Sequence, residues 1–279
     1  MPVLHCRCGV ERSMMLVVRI SRLVLSQRQL IWAMVLREIR YKYAGTIGGV
    51  LWSFAHPAVT VLVYWVVFSV GLKVQPLKDV PFIVVYVGAY LPWIFFVETL
   101  GNSCSSISSN PHLVKKVAFP TEILPVVQLL VSFVTHAAMM TLYMVLLAVN
   151  GIWPSLYNLQ FAYYLLALSA FTLGLSWLVA SMNVLFKDVG QVLAMVLQVL
   201  FWLTPIVWPL EMLPQWGQRL AKLNPLYYII SGYRNSFVTH QPAWTDLAGG
   251  LYFWAVAFGM LLLGCYVFSR LKPEFADVI

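Results

Sequence analysis

Side chains able to do acid, base, nucleophilic or ligand chemistry are sparse in this 279-residue chain and stand apart from one another. Glu98 is the one carboxylate inside an otherwise apolar stretch, and His56 and His136 are the other titratable candidates so placed. An acid inside a membrane segment is a functional candidate by default. Glu98, however, stands close enough to its segment's end to serve as a polar cap or a partner for a neighbouring helix. His56 precedes Pro57 and suits a kink. Proton-coupled transport needs a relay of titratable groups, and none is spaced to form one. Prenyl or glycosyl transfer in a membrane needs clustered carboxylates to hold Mg²⁺ and a diphosphate, whereas the 10 acids here are scattered. Cys6 and Cys8 make a single Cys-x-Cys, with Cys104 and Cys265 far away, so no repeated spacing points to a metal. There is no G-x-x-x-x-G-K-[ST] loop to cradle a nucleotide's phosphates. Whatever energy source drives this chain is expected to lie in another subunit.

The elements that position these few groups are apolar helices. Hydrophobic residues make up 61% of the chain and charged residues 10%, a balance foreign to soluble domains. From Ile123 to Phe186 there is no Lys, Arg, Asp or Glu, and Asn150, Gly151 and Pro154 cut that run in two. A spanning helix needs about 20 apolar residues, so this run reads as two helices joined by a hairpin. Tyr43–Leu72, Val80–Val97, Val189–Leu210 and Leu247–Ser269 read as further spans, for six in all. The expected fold is an all-α polytopic membrane protein, with residues 1–47 forming a cytoplasmic N-terminal segment and residues 48–279 a single six-helix transmembrane domain.

Orientation follows from the basic residues. With the N-terminus inside, only Lys73, Lys78, Arg219, Lys222 and Arg234 fall outside, and every other Lys and Arg falls inside. Both termini are therefore expected in the cytoplasm. The formal charge of +8 expresses this asymmetry and contact with anionic lipid, not nucleic-acid binding. The first 47 residues are too polar to span, yet Met14–Val35 carries a pattern. Its Arg19, Arg22, Ser26 and Gln29 recur at spacings of three and four, opposite Leu16, Val17, Leu23, Val24, Leu30 and Ile31. That pattern predicts an amphipathic helix on the membrane surface. Its arginines and the lack of a small-residue cleavage site argue against a signal peptide. Met14 and Met15 offer alternative starts.

Two connectors are unusual. Gly101–Pro120, GNSCSSISSNPHLVKKVAFP, opens on small polar residues and sets Lys115 and Lys116 before an apolar patch. Leu210–Asp246 contains LNPLYYIISGYRNSF, too apolar for water and too short to span, with breaks supplied by Pro205, Pro209, Pro214 and Pro225. A re-entrant pair of short helices on the outer face satisfies both constraints.

Five ordered blocks, LREIRYKYAGTIGGVLW (36–52), SSNPHLVKKVAFPTEILP (108–125), NVLFKDVGQV (183–192), LTPIVWP (203–209) and NPLYYIISGYRNS (224–236), together resemble the permease subunit of ABC-2 type polysaccharide exporters. That group exports O-antigen, teichoic acid and capsule polymers, and the likeness runs from about residue 30 to the C-terminus. It implies a homodimer in the bacterial plasma (inner) membrane, with two copies of a cytoplasmic ABC ATPase that bind the ATP and Mg²⁺. It implies no cofactor and no catalytic residue in this chain, and an undecaprenyl-diphosphate-linked glycan as substrate. The family's coupling helix corresponds to about Ser103–Ala118, with Ser109, Asn110, Pro111, His112, Lys115 and Lys116 meeting the ATPase. Arg37, Glu38, Arg40 and Lys42 match an interfacial helix whose cations can meet the substrate's diphosphate or anionic lipid, although Glu38 and Lys42 can also pair along it. The spans that line the family's pore carry Trp52, Tyr64, Trp65, Phe68, Phe201 and Trp202 here, and aromatic faces suit weak, repeated contact with sugar rings. Asn224, Pro225, Tyr227, Tyr228, Tyr233 and Arg234 would form the outer gate. A membrane-embedded enzyme of lipid-linked sugar metabolism and an ABC permease for drugs or small lipids are the competing readings.

Overall fold

The computed structural model describes residues 22–43, 51–71, 80–115 and 119–278. Every regular element among these residues is a helix. The main ones are α1 (Arg28–Tyr43), α2 (Leu51–Trp65, continued by a wider turn over Val66–Gly71), α3 (Phe82–Ser106), α4 (Pro111–Val114), α5 (Ile123–Val149), α6 (Gln160–Leu185), α7 (Val189–Leu203), α8 (Gln215–Leu223), α9 (Pro225–Arg234), α10 (Leu247–Leu271) and α11 (Phe275–Val278).

Four apolar helical stretches, Phe82–Ser106, Ile123–Val149, Leu156–Leu185 and Ala243–Glu274, are long enough to cross a membrane. At about 1.5 Å per residue even the 25-residue α3 exceeds the roughly 30 Å hydrocarbon core. Pro57–Gly71 and Val189–Leu203 are shorter apolar helices. The expected fifth span, Val189–Leu210, therefore needs correction: α7 stops at Leu203, about 22 Å long. Pro205 is the cause, because its ring forces Thr204 out of helical geometry, to ψ 133°. The Thr204 hydroxyl donates back to the Leu200 carbonyl at 2.6 Å and closes the last turn. The turn between α5 and α6 lies where Asn150, Gly151 and Pro154 predict it, and Gly151 takes φ +75° there.

The second span also needs correction at its end. Gly101–Ser106, read as the start of a polar connector, continue α3 as helix. Small polar residues need not break a helix inside a packed bundle, because their hydroxyls can bond the preceding turn, as Ser106 does to the Ser103 carbonyl at 2.7 Å.

α3 is the hub, packed against α5, α6 and α9, while α6 runs against α10. Lipid is as apolar as leucine, so close backbone approach has to supply the attraction between spans. Gly174 and Gly264 show it: a Cβ on Gly264 would lie 2.0 Å from the Gly174 carbonyl oxygen. The buried apolar residues form two clusters. One unites α3, α5, α6, α9 and α10. The other joins Ile31, Met34 and Val35 of α1 to Ile107 and Val114 of the connector, the first turns of α5, and Phe268 and Phe275 near the C-terminus. α1, the connector and the C-terminal helix α11 thus meet at one end of the bundle. Lys272 Nζ ties this end together with a 2.7 Å ion pair to Glu122.

Candidate functional site

Phe82, Tyr86, Tyr90 and Trp93 recur at spacings of four, four and three along α3, so their rings climb one helix face. Their centroids lie 5.8 Å apart for Phe82–Tyr86 and 5.2 Å for Tyr86–Tyr90. α2 and α7 lay further rings on this ladder. Tyr64 sits 5.2 Å from Tyr86 and 5.8 Å from Phe201, and Phe68 stacks on Phe82 at 5.3 Å. Phe201 lies 5.5 Å from Trp93 and 5.6 Å from Trp202. These separations are those of attractive offset and edge-to-face pairs.

Along this wall runs a cavity of about 610 Å³. Tyr64, Tyr90, Trp93, Phe201 and Trp202 line one stretch, and Gly101, Cys104, Ser105, Asn183, Gly190 and Gln198 line the stretch nearer the connector. None of its lining residues is charged. Of the aromatics singled out in sequence, Tyr64, Phe201 and Trp202 meet here, and Phe68 extends the wall. Trp65 is exposed on another side of α2 and joins none of these ring pairs. The Trp52 and His56 side chains lie outside the described residues. Sequence reasoning missed the α3 ladder altogether, although its four-four-three spacing was legible.

At the connector end, Asn110 stands just before α4 and is buried, its side chain making no bond to that helix. Its amide donates to the Ser106 carbonyl at 2.9 Å, and its Oδ1 accepts from Arg37 Nη2 at 3.0 Å. Arg37 also pairs with Glu38 at 3.0 Å. Pro111 starts α4, while Ser109, His112 and Lys115 are exposed around it. Lys116 lies outside the described residues. Arg40 is exposed in the last turn of α1. Lys42 forms an ion pair with Glu98, whose Oε1 also accepts from the Thr135 hydroxyl at 3.3 Å. Glu98 is therefore a partner for two neighbouring helices, about two turns inside α3 and not at its end.

At the opposite end the short helices α8 and α9 follow one another and touch. Asn224 caps α9, accepting from Leu226 N at 3.0 Å and donating to the Thr204 hydroxyl at 2.8 Å. Pro225 occupies the first helical position, where its missing N–H is not needed. Arg234 donates to the Ile206 carbonyl at 2.7 Å. Asn224 and Arg234 thus clamp both ends of α9 to the broken end of α7, and Arg234 satisfies a carbonyl that the prolines left without a helical partner. Tyr228 and Tyr233 are core residues: Tyr228 packs on Tyr164 and Phe253, and the Tyr233 hydroxyl meets His136 Nε2 at 3.1 Å. Tyr227 is half-buried. His136, one of the three isolated titratable groups, is accounted for by this bond and by its edge contact with Phe95. On α8, Trp216, Leu220 and Leu223 present an exposed apolar stripe, flanked by Arg219 and Lys222.

Residues 29–238 match the family described as ABC-2 type transporter. An O-antigen export system permease protein RfbA from Myxococcus xanthus is 30% identical over 264 residues, 94% of this chain and 100% of that protein. A protein of the same name from Klebsiella pneumoniae is 25% identical over 87% of this chain and 92% of its own length. The polysialic acid transport protein KpsM of Escherichia coli is 23% identical over 73% of this chain and 79% of its own.

Proposed function

We propose, since this chain belongs to the ABC-2 type transporter family, that it is the permease subunit of an ATP-driven exporter of a lipid-linked polysaccharide. Relatives named for O-antigen export and for polysialic acid transport support the substrate class. The observation that carries the reading is the uncharged groove, walled by aromatic rings from α2, α3 and α7 and continued by small polar groups toward the connector. A chain of sugars offers alternating apolar C–H faces and hydroxyls. Rings and small polar groups bind these weakly and repeatedly, whereas a charged wall would arrest a polymer or leak ions.

In this reading a second copy of the chain faces the groove and completes a channel, and two copies of an ABC ATPase dock around α4, at Ser109, Pro111, His112, Lys115 and Lys116. ATP and Mg²⁺ are bound there and not in this chain. The connector end is cytoplasmic, which agrees with the excess of Lys and Arg on that side. Two shorter helices, α2 and α7, complete six crossings, and the α8–α9 pair enters and leaves on the outer face. The glycan is carried on undecaprenyl diphosphate across the inner membrane.

The test is reconstitution in proteoliposomes with the ATPase and a labelled lipid-linked glycan. Protection of the label from an outside glycosidase should require ATP, both subunits and an intact Lys115–Lys116 pair, with Lys115→Glu/Lys116→Glu assembling but not exporting. Chemical conversion of the glycan by this chain alone would refute the transport reading.

A further inference from the structure

α7 supplies Gln198, Phe201 and Trp202 to the groove, yet Leu197 is its one buried residue. So little packing does not fix where a helix stands in lipid, which competes equally well for apolar side chains. The segment just beyond α7 is held instead. Thr204, Ile206 and Val207 are buried, Asn224 donates to the Thr204 hydroxyl, and Arg234 donates to the Ile206 carbonyl. The two donors stand at the two ends of α9.

α9 is in turn held from its other sides. It packs against α3 and α6 and buries Leu226, Tyr228, Ile229, Ile230 and Tyr233. From α5, His136 and Tyr143 meet it seven residues apart, on one helix face. His136 Nε2 bonds the Tyr233 hydroxyl at 3.1 Å, and the Tyr143 ring packs edge-on at 5.2 Å against Phe237, in the wider turn Asn235–Thr239 that continues α9. Tyr143 also donates to the Val84 carbonyl of α3 at 3.0 Å. His136, Tyr143, Tyr233 and Phe237 are all buried, so no water stands ready to replace these contacts.

We propose that α9 is a fixed bracket and not the moving part of an outer gate: α5 holds it, and its Asn224 and Arg234 set where the outer end of α7 stands. His136, which does not line the groove, is then a positioning residue for the groove wall. An α9 that swung away would break these bonds together and leave the Tyr233 hydroxyl and His136 Nε2 unpaired in an apolar interior. The proposal rests on the export reading only for what the placement of α7 serves. The bracket itself does not depend on it.

The export experiment uses the full chain with its ATPase, in a background lacking native cysteines. The Tyr252 hydroxyl bonds the Leu223 carbonyl just before α9, and the Gln160 amide bonds the Gln241 carbonyl just after its continuing turn. Leu223→Cys/Tyr252→Cys and Gln160→Cys/Gln241→Cys, each joined by a bifunctional thiol reagent matched to its span, tie both ends of α9 to α10 and α6. A bracket exports as well crosslinked as free. Export lost on crosslinking while ATP hydrolysis persists shows that α9 must move, and overturns the proposal. A measurement that needs no export is hydrogen exchange in lipid nanodiscs. His136→Phe should speed exchange about tenfold, or about 1.4 kcal/mol, over residues 226–239 and over residues 203–208 together, while α3 keeps its protection. His136→Gln, which keeps a partner for Tyr233, should restore both segments. Tyr233→Phe, which keeps the ring, should give the pattern of His136→Phe, and the double variant should be no worse than either single. Faster exchange in α9 alone, with residues 203–208 unchanged, refutes the bracket, as does wild-type exchange in both, even if this chain exports nothing.

Discussion

Gly232 sits in the block NPLYYIISGYRNS because of what stands opposite it. In Gly232→Ala, the new methyl carbon would lie 2.2, 2.3 and 2.4 Å from three carbons of the Tyr164 ring. Carbon atoms in contact keep about 3.5–4.0 Å, so helix and ring must part by roughly 1 Å. Tyr164 has no room to yield: it is 3% exposed and wedged between Tyr163, at 5.1 Å, and Tyr228, at 5.4 Å. Overpacking of this kind costs about 1–3 kcal/mol. At about 2 kcal/mol the equilibrium for α9 lifting from α6 shifts roughly 30-fold. Hydrogen exchange followed by mass spectrometry, in lipid nanodiscs, should then show amides of residues 226–239 exchanging roughly 30-fold faster while those of α3 and α5 keep their protection. Adding Tyr164→Leu supplies the missing space, so the double variant should be better protected than Gly232→Ala alone, a non-additivity expected of touching residues. Wild-type exchange in Gly232→Ala, or a double variant no better than the single, would refute the argument that this glycine exists for close approach.

Four further outcomes are expected. Gly264→Leu, whose Cβ would collide with backbone, should abolish a monodisperse peak in size-exclusion chromatography, whereas Gly259→Leu on the same helix, with open space around it, should not. Asn224→Leu removes the α9 cap and the bond to Thr204, about 1–2 kcal/mol, and should speed exchange over residues 226–228, with Asn224→Asp intermediate because it keeps the cap. In a cysteine-free background, cysteine at Tyr64 or Trp202 should react with a water-soluble maleimide and cysteine at Tyr233 should not, since Tyr233 is fully buried; equal labelling at all three would dissolve the groove. A reporter active only in the cytoplasm should work after Ile279, and one active only outside should work at Gln241; a silent reporter at Ile279 in an inserted fusion would overturn the six-span topology.

The local features of this chain were legible because their causes are local. The charge-free run from Ile123 to Phe186 and the breakers at Asn150, Gly151 and Pro154 suffice for two long helices and their turn, since span length and turn chemistry depend on neighbours in sequence. The prolines after Leu203 likewise announce a broken segment, although not that α7 would stop short of the expected span. Small polar residues at Gly101–Ser106 misled the reading because helix interior and connector share that composition, and only packing against α5 and α6 decides between them. The rotation of each helix about its axis is a tertiary matter. Tyr64 and Trp65 are adjacent and equally aromatic, yet only Tyr64 enters the ring cluster, because α3 and α7 lie on its side of α2. The same holds for partners. Glu98 meets Lys42 across 56 residues, Arg37 meets Asn110 across 73 and Lys272 meets Glu122 across 150. No spacing rule reaches that far, because a half-buried charge beside apolar helices takes whichever partner the packing of the helices brings within reach.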